Sequence, residues 1–316
     1  MNKDLVLQNR ILEFRTGSHL YGTNTHKSDE DYVGVFMPTE EFIFGFQRVE
    51  NVDLSIKSKS ENGKNTFDAK DVVYHEFRKF IKLALDNNPN ILELLFANKD
   101  NILFMNDVGM ELISMRHAFP HMGLVNRFKK YAESQKHKMV IRSDNYFVLQ
   151  GALKYLNELL KEPENGDRLI VELESLPFFQ KSGRYIMCGD LNFQKHVSIK
   201  KVQRMIHERV AKFGNRKELV SKHGYDTKFA SHLIRLLYEC EEFVLTGSIT
   251  FPLQKANLIL DIRKGKYKIK DVIDMSNDIC SSINSICETT DLPPKPNTKL
   301  IQQFTIDNMR RFYGES

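Results

Sequence analysis

Gly17-Ser18-His19-Leu20-Tyr21-Gly22-Thr23-Asn24-Thr25-His26-Lys27-Ser28-Asp29-Glu30-Asp31-Tyr32-Val33-Gly34-Val35 is the stretch on which the reading of this chain turns. Just before it, Ile11-Leu12-Glu13-Phe14 has the composition of a short strand and runs directly into Gly17-Ser18. A glycine there lets the backbone approach a phosphate closely. A helix opening at that point also presents unpaired N–H groups and the positive end of its dipole. The Ser18 hydroxyl adds one more donor. After a polar loop comes Asp29 to Phe36, a β-rich run. The two-residue period of a strand puts Asp29 and Asp31 on one face, with Val33 and Val35 continuing it. Carboxylates held that close repel unless a cation lies between them. Magnesium accepts one or two protein carboxylates and takes its other ligands from phosphate oxygens and water. A lone D-x-D or a lone Gly-Ser is common on solvated loops. Together, on a strand–turn–helix–strand layout, they describe a phosphoryl-transfer site.

Working outward, the 316 residues with 41% hydrophobic content are ample for a buried core, and the length favours two domains. A formal charge of +5 and a pI of 8.8 permit nucleic-acid binding without demanding it, since clustering of the charge decides. Cys188, Cys240, Cys280 and Cys287 include no C-x-x-C pair, so no structural zinc is expected. Scattered cysteines and the lack of a signal-peptide pattern suit a reducing cytoplasm, the host's if the chain is phage-encoded. No segment approaches the roughly 18 apolar residues of a membrane helix, and no membrane partner is expected.

The first third reads as mixed α and β. Lys57 to Asn65 is polar and reads as an exposed loop, and Phe67 to Tyr74 reads as a further strand. Phe77, Phe80, Ile81 and Ala84 give Glu76 to Leu85 a helical period, which Asn87-Asn88-Pro89 ends before Ile91 to Phe96 begins the next element. From about residue 105 the pattern becomes mostly helical: Gly123 to Lys138, Asn145 to Leu160, Ile199 to Phe213, Thr227 to Leu245, Leu253 to Lys264 and Ile269 to Cys287, with Lys299 to Phe312 last. Glu162 to Arg168 and Pro177 to Gly189 punctuate that region. The expected organisation is α+β: a mixed sheet with flanking helices over residues 1–105, then a mostly helical, substrate- or acceptor-binding domain over residues 106–316.

Gly17-Ser18-x-x-x-Gly22 followed by Ser28-Asp29-x-Asp31-Tyr32-x-Gly34-Val35 resembles the G-S…D-x-D signature of the DNA polymerase β superfamily of nucleotidyltransferases. More narrowly, it resembles the nucleotidyltransferases associated with RNA repair in bacteria and large phages. Asp71 to Phe80 and Asn88-Pro89-Asn90-Ile91-Leu92-Glu93-Leu94-Leu95 are similar to that group's strand–helix element and its N-P-x-x-L-E-L-L run. Lys222 to Leu236, with its His223-Gly224-Tyr225-Asp226-Thr227-Lys228 core, is similar to its signature in the helical region, and Ile262-Arg263-x-Gly265 follows it.

The resemblance implies transfer of a nucleoside monophosphate from a nucleoside triphosphate to a hydroxyl. It implies two magnesium ions, with manganese as a substitute, held by Asp29, Asp31 and a third carboxylate on a neighbouring strand. Asp71 sits where the resembling segment has its acid, and Asp68 is the reserve; three positions apart, the two would point to opposite faces of a strand. Gly17 and Ser18 would hold phosphates. Lys228, His232 and Arg235, at i, i+4 and i+7 on a helix, form a row that suits a triphosphate or nucleic-acid phosphate, or else a solvated face pairing with Glu239. His19, Tyr21, His26 and His75 stand outside the catalytic set. Arg127 to Arg142 and Lys195 to Lys217 mix basic and aromatic residues, as a surface tracking a phosphate backbone would, though charged outer helix faces are also common. The expected acceptor is an RNA 3′ end. The alternatives are AMP transfer to a protein side chain and a catalytically silent nucleic-acid-binding relative.

Overall fold

The structure is a computed structural model that describes residues 1–26, 28–56, 70–173, 178–213 and 216–314. Its strands are β1 Arg10–Thr16, β2 Glu30–Phe36, β3 Asn51–Asp53, β4 Lys70–Glu76, β5 Ile102–Met105, β6 Gln180–Ser182, β7 Tyr185–Cys188 and β8 Leu191–Gln194. Its helices are α1 Lys3–Gln8, α2 Gly17–Tyr21, α3 Glu40–Ile43, α4 Phe77–Leu85, α5 Pro89–Leu92, α6 Asp107–Ser114, α7 Gly123–Leu159, α8 Ile199–Ala211, α9 Arg216–His223, α10 Thr227–Thr246, α11 Ala256–Arg263, α12 Ile269–Ile286 and α13 Thr298–Phe312. Two compact units form. The first gathers residues 1–132, 234–261 and 274–316; the second gathers residues 133–233 and 262–273.

The first unit is built on a five-stranded sheet in the order β3-β4-β2-β1-β5. β1 runs antiparallel to β2 and β5, β2 runs parallel to β4, and β3 closes the far edge antiparallel to β4. This is the mixed sheet with flanking helices that was expected. The crossover from β2 to β4 contains residues 57–69, so the loop read at Lys57 to Asn65, the start of the Phe67 to Tyr74 strand and Asp68 all lie outside the described residues. Gly34 in β2 is required by packing: a Cβ there would collide with the Tyr74 ring, which lies across it and donates its hydroxyl to Glu13 at 2.6 Å. Val6, Phe36 and Tyr74 form a buried cluster on one side of the sheet. α4 starts immediately after β4 because Glu76 caps it, accepting from the Lys79 N–H at 2.9 Å. Asn88 then caps α5 with Pro89 at its first turn, which explains the break read at Asn87-Asn88-Pro89. Phe243 of α10 stacks edge-on with Phe96 and Phe128, at centroid distances of 5.2 and 5.9 Å.

The second unit is mostly helical, as expected, and also holds strands that the sequence pattern does not mark. Between its helices lies a three-stranded antiparallel sheet, β6-β7-β8, whose strands are only three or four residues long. Runs that short, bounded by Gly183 and Gly189, hold too few alternations to stand out from the helical pattern around them. The inner face of this sheet supplies Ile186, Cys188 and Phe193 to a core shared with Leu149, Leu156, Val202 and Ile206. α7 corrects one reading. Gly123 to Lys138 and Asn145 to Leu160 are not two helices but one of 37 residues. No Gly or Pro lies between Lys138 and Asn145, and Ser143 bonds back to the Met139 carbonyl at 2.7 Å, so the ladder continues.

Candidate active site

Gly17 and Asp31, both singled out in the opening stretch, meet at one end of the large sheet. β1 ends at Thr16, which caps α2 in an extended conformation, and Gly17 begins α2 with φ of 65°. That left-handed value favours glycine. Space also excludes a side chain, since a Cβ on Gly17 would fall well inside van der Waals contact of Asp31 Oδ2. The Asp31 carboxylate therefore lies against the Gly17 backbone, as the antiparallel pairing of Thr16 with Asp31 requires. α2 is closed after Tyr21 by Gly22 at φ of 73°, the second glycine of the G-S-x-x-x-G segment.

Across the parallel pairing, Asp31 stands directly beside Asp71, in a register that runs from Glu30 with Lys70 to Phe36 with Glu76. Adjacent strands lie about 4.8 Å apart, and paired residues project to the same face. Asp31 and Asp71 are thus near neighbours although 40 positions separate them in the chain. Asp29 precedes β2 and is exposed. Among the described residues, no group of three or more His, Cys, Asp or Glu side chains is placed to hold a metal ion by itself. Two neighbouring carboxylates beside the Gly17 turn nevertheless fit a hard cation that takes its other ligands from phosphate oxygens and water.

The opposite face of the same strands is differently equipped. Glu30 accepts a hydrogen bond from the Tyr32 hydroxyl at 2.5 Å, which holds its carboxyl below the ordinary range, while burial and the Glu30 carboxylate push Tyr32 up to about 12. Lys70 lies 3.9 Å from Glu30 and above the Tyr32 ring. His19 on α2 has a buried Nε2 with no hydrogen-bond partner.

The other sequence-derived site residues are placed apart. Lys228 and His232 fall in the second unit, half-buried. Asp226, next to Lys228, is buried and caps α10, accepting from the backbone N–H groups of Lys228 and Phe229 at 3.0 and 3.3 Å. Tyr225 is fully buried and donates to the Tyr267 carbonyl at 2.6 Å. Much of the H-G-Y-D-T-K segment is therefore architecture. Arg235 belongs to the first unit and is 5% exposed, with its NH1 group at 2.9 Å from Glu93 and 2.7 Å from Glu239. Its guanidinium lies 4.2 Å above the Tyr21 ring, and the Tyr21 hydroxyl donates to Glu93 at 2.7 Å. In the sequence Tyr21 was set outside the catalytic set, Glu239 was offered as a partner on a solvated face, and Glu93 was given no role of its own. The signal available for Glu93 was a carboxylate inside the apolar run Ile91 to Phe96.

Residues 8–156 match the RlaP family, described as the RNA repair pathway DNA polymerase beta family. The match spans a little under half of the chain, 149 of its 316 residues. The resemblance seen in the G-S…D-x-D stretch is borne out, and with this RNA repair family comes the enzyme class, a nucleotidyltransferase. The chain is also similar to an uncharacterized 38.9 kDa protein from the nrdC–mobD intergenic region of enterobacteria phage T4. The two are 26% identical over 328 aligned positions, which cover 95% of this chain and 96% of the phage protein. A nucleotidyltransferase-like protein from Exiguobacterium sibiricum, known from its crystal structure, aligns with 89% of this chain and 69% of its own length, at 8% identity and a TM-score of 0.26. Nucleotidyltransferases of the polymerase β superfamily generally use divalent metals. Among the described residues, no helix is long and apolar enough to cross a membrane.

Proposed function

We propose that this chain transfers a nucleoside monophosphate from a nucleoside triphosphate to the 3′ hydroxyl of an RNA and releases pyrophosphate. The observation that carries the reading is the pairing of Asp31 with Asp71 on parallel strands beside the Gly17 turn. Gly17 and Ser18 are assigned to the β and γ phosphates, which the backbone N–H groups and the Ser18 hydroxyl would hold. Asp29, Asp31 and Asp71 are assigned as carboxylate ligands for magnesium. The chemistry such a metal supplies when bound is neutralisation of the triphosphate charge and a lowered pKa for the attacking hydroxyl.

In the transfer, the hydroxyl oxygen attacks the α phosphorus in line, the bond from that phosphorus to the bridging oxygen of the β phosphate breaks, and pyrophosphate leaves with the electron pair. Asp71 is assigned to the attacking side, where it accepts the hydroxyl proton. The contribution of these residues is chiefly positioning and electrostatics. Lys228 and His232 are assigned to phosphates of the RNA. Arg235 is left out of the nucleotide site, because its guanidinium already meets Glu93 and Glu239 in the interior.

The test is incubation with each labelled nucleoside triphosphate, magnesium or manganese, cellular RNA and lysate protein. Label entering RNA with the wild type and not with Asp29→Ala/Asp31→Ala is the expected result. Label entering protein would replace RNA by a protein acceptor, and wild-type turnover by either single variant would sink the carboxylate assignment.

A further inference from the structure

One module of the second unit is strongly basic. Residues 178–213 contain eight Lys or Arg against two Asp or Glu, a net of +6, whereas the whole chain has a net of only +5. This segment is β6, β7, β8 and α8. α8 buries Ile199, Val202, Ile206 and Val210, so its other side carries Lys200, Lys201, Arg204 and His207, all exposed. Helix stability does not account for these cations. Lys200 and Lys201 lie in the first turn of α8, which has no acidic residue, and the helix dipole disfavours positive charge there. Arg204 approaches Glu208 at 3.8 Å, but both are largely exposed and such a pair is weak in water. Arg209 differs, being paired with Asp190 at 2.5 Å and stacked over Phe213.

The outer face of the adjoining sheet is uncharged but rich in hydrogen-bonding groups. The register sets Ser182, Tyr185 and Gln194 abreast, opposite in direction to the buried Ile186 and Phe193. Tyr185 is 46% exposed and is the only exposed large hydrophobic among the described residues of the module. One exposed ring is too little apolar surface to enter a lipid interface. The row of exposed cations on α8 instead suits a phosphodiester backbone.

We infer that the solvent side of α8 binds the phosphate backbone of RNA, without selecting its bases. The choice of RNA among polyanions rests on the RNA-acceptor reading; the binding surface itself does not depend on catalysis.

The test measures anisotropy of a fluorescent RNA of about 20 nucleotides with the full chain, over a range of KCl concentrations, without nucleotide or divalent metal. The wild type is compared with Lys200→Glu/Lys201→Glu/Arg204→Glu and with the matching triple Gln variant, both checked for wild-type circular dichroism and melting. If the three side chains meet phosphates, the log–log salt slope falls by about 2 and low-salt affinity falls at least ~10-fold in the Glu variant, and by less in the Gln variant. No RNA binding by the wild type, or unchanged affinity in both folded variants, would overturn the inference. So would binding to anionic phospholipid vesicles in place of RNA. RNA binding through these residues by a wild type that transfers no label would sink the transfer reading and leave this one standing. Transfer to RNA with unchanged affinity in the variants would do the reverse.

Discussion

Arg235 and Glu93, 142 positions apart in the chain, meet at 2.9 Å in the interior of the first unit. The contact joins two of the segments that carry the resemblance, the L-E-L-L run and the end of the Lys222–Leu236 signature, and Tyr21 brings in the third, the G-S segment. One guanidinium faces two carboxylates, all nearly dry, and burial pushes both Glu93 and Glu239 above the ordinary carboxylate range. Tyr21 lies at the end of the helix that opens with Gly17, so this network also anchors the far end of the Gly17 turn.

Removing the cation strands the two carboxylates. Arg235→Met is expected to lower the free energy of unfolding by about 3–5 kcal/mol, since breaking a buried pair leaves uncompensated charge. Tyr21→Phe, which removes one hydrogen bond and keeps the ring, is expected to lower it by about 1 kcal/mol. Urea denaturation checks both, and an Arg235→Met protein as stable as wild type would show that the network contributes nothing.

The pH dependence has a definite sign. Burial pushes Glu239 up to about 8 from an ordinary 4.5. A raised carboxyl binds its proton more tightly in the folded state, so its contribution is fully present below pH 4.5 and is lost as the pH rises through 8. Glu239→Gln mimics the protonated form. Its stability relative to wild type should therefore rise steadily from pH 5 to pH 8, in denaturation curves measured across that window. A difference that stays flat would contradict the buried protonated state.

Gly17→Ala places a methyl group where Asp31 Oδ2 now lies and holds an alanine at φ of 65°. The left-handed conformation costs about 1–2 kcal/mol. Displacement of the carboxylate is expected to reduce nucleotide transfer by about 100-fold or more. Ser18→Ala at the next position should instead raise the KM for triphosphate several-fold with a normal melting temperature. Full transfer activity in Gly17→Ala would separate the turn from the chemistry.

Asp71→Asn keeps the shape of the side chain and removes its charge and its capacity to accept a proton. Transfer should fall at least ~100-fold, the scale of a lost general base. Triphosphate binding measured without turnover should change far less than in Asp31→Asn. Equal losses of binding in the two variants would assign Asp71 to the triphosphate rather than to the attacking hydroxyl.

Local periodicity was enough for β1, the Gly17 turn, the start of α2 and the course of β2, because each depends on residues within about a dozen positions. It was also enough for the helical character of most of residues 106–316. Periodicity could not place Asp71 beside Asp31, since that depends on the parallel register of two strands joined by a long crossover. Helical spacing put Arg235 in a row with Lys228 and His232 and offered Glu239 as an exposed partner. The fold closed over Arg235 and Glu239, and burial made their pairing with Glu93 obligatory, because a charge that leaves water needs a counter-charge from whatever element packs against it. Charge clustering followed the same division: the excess of Lys and Arg in residues 178–213 is legible in the chain, but only the packing of α8 and of the short β6–β8 sheet decided which of those cations face solvent.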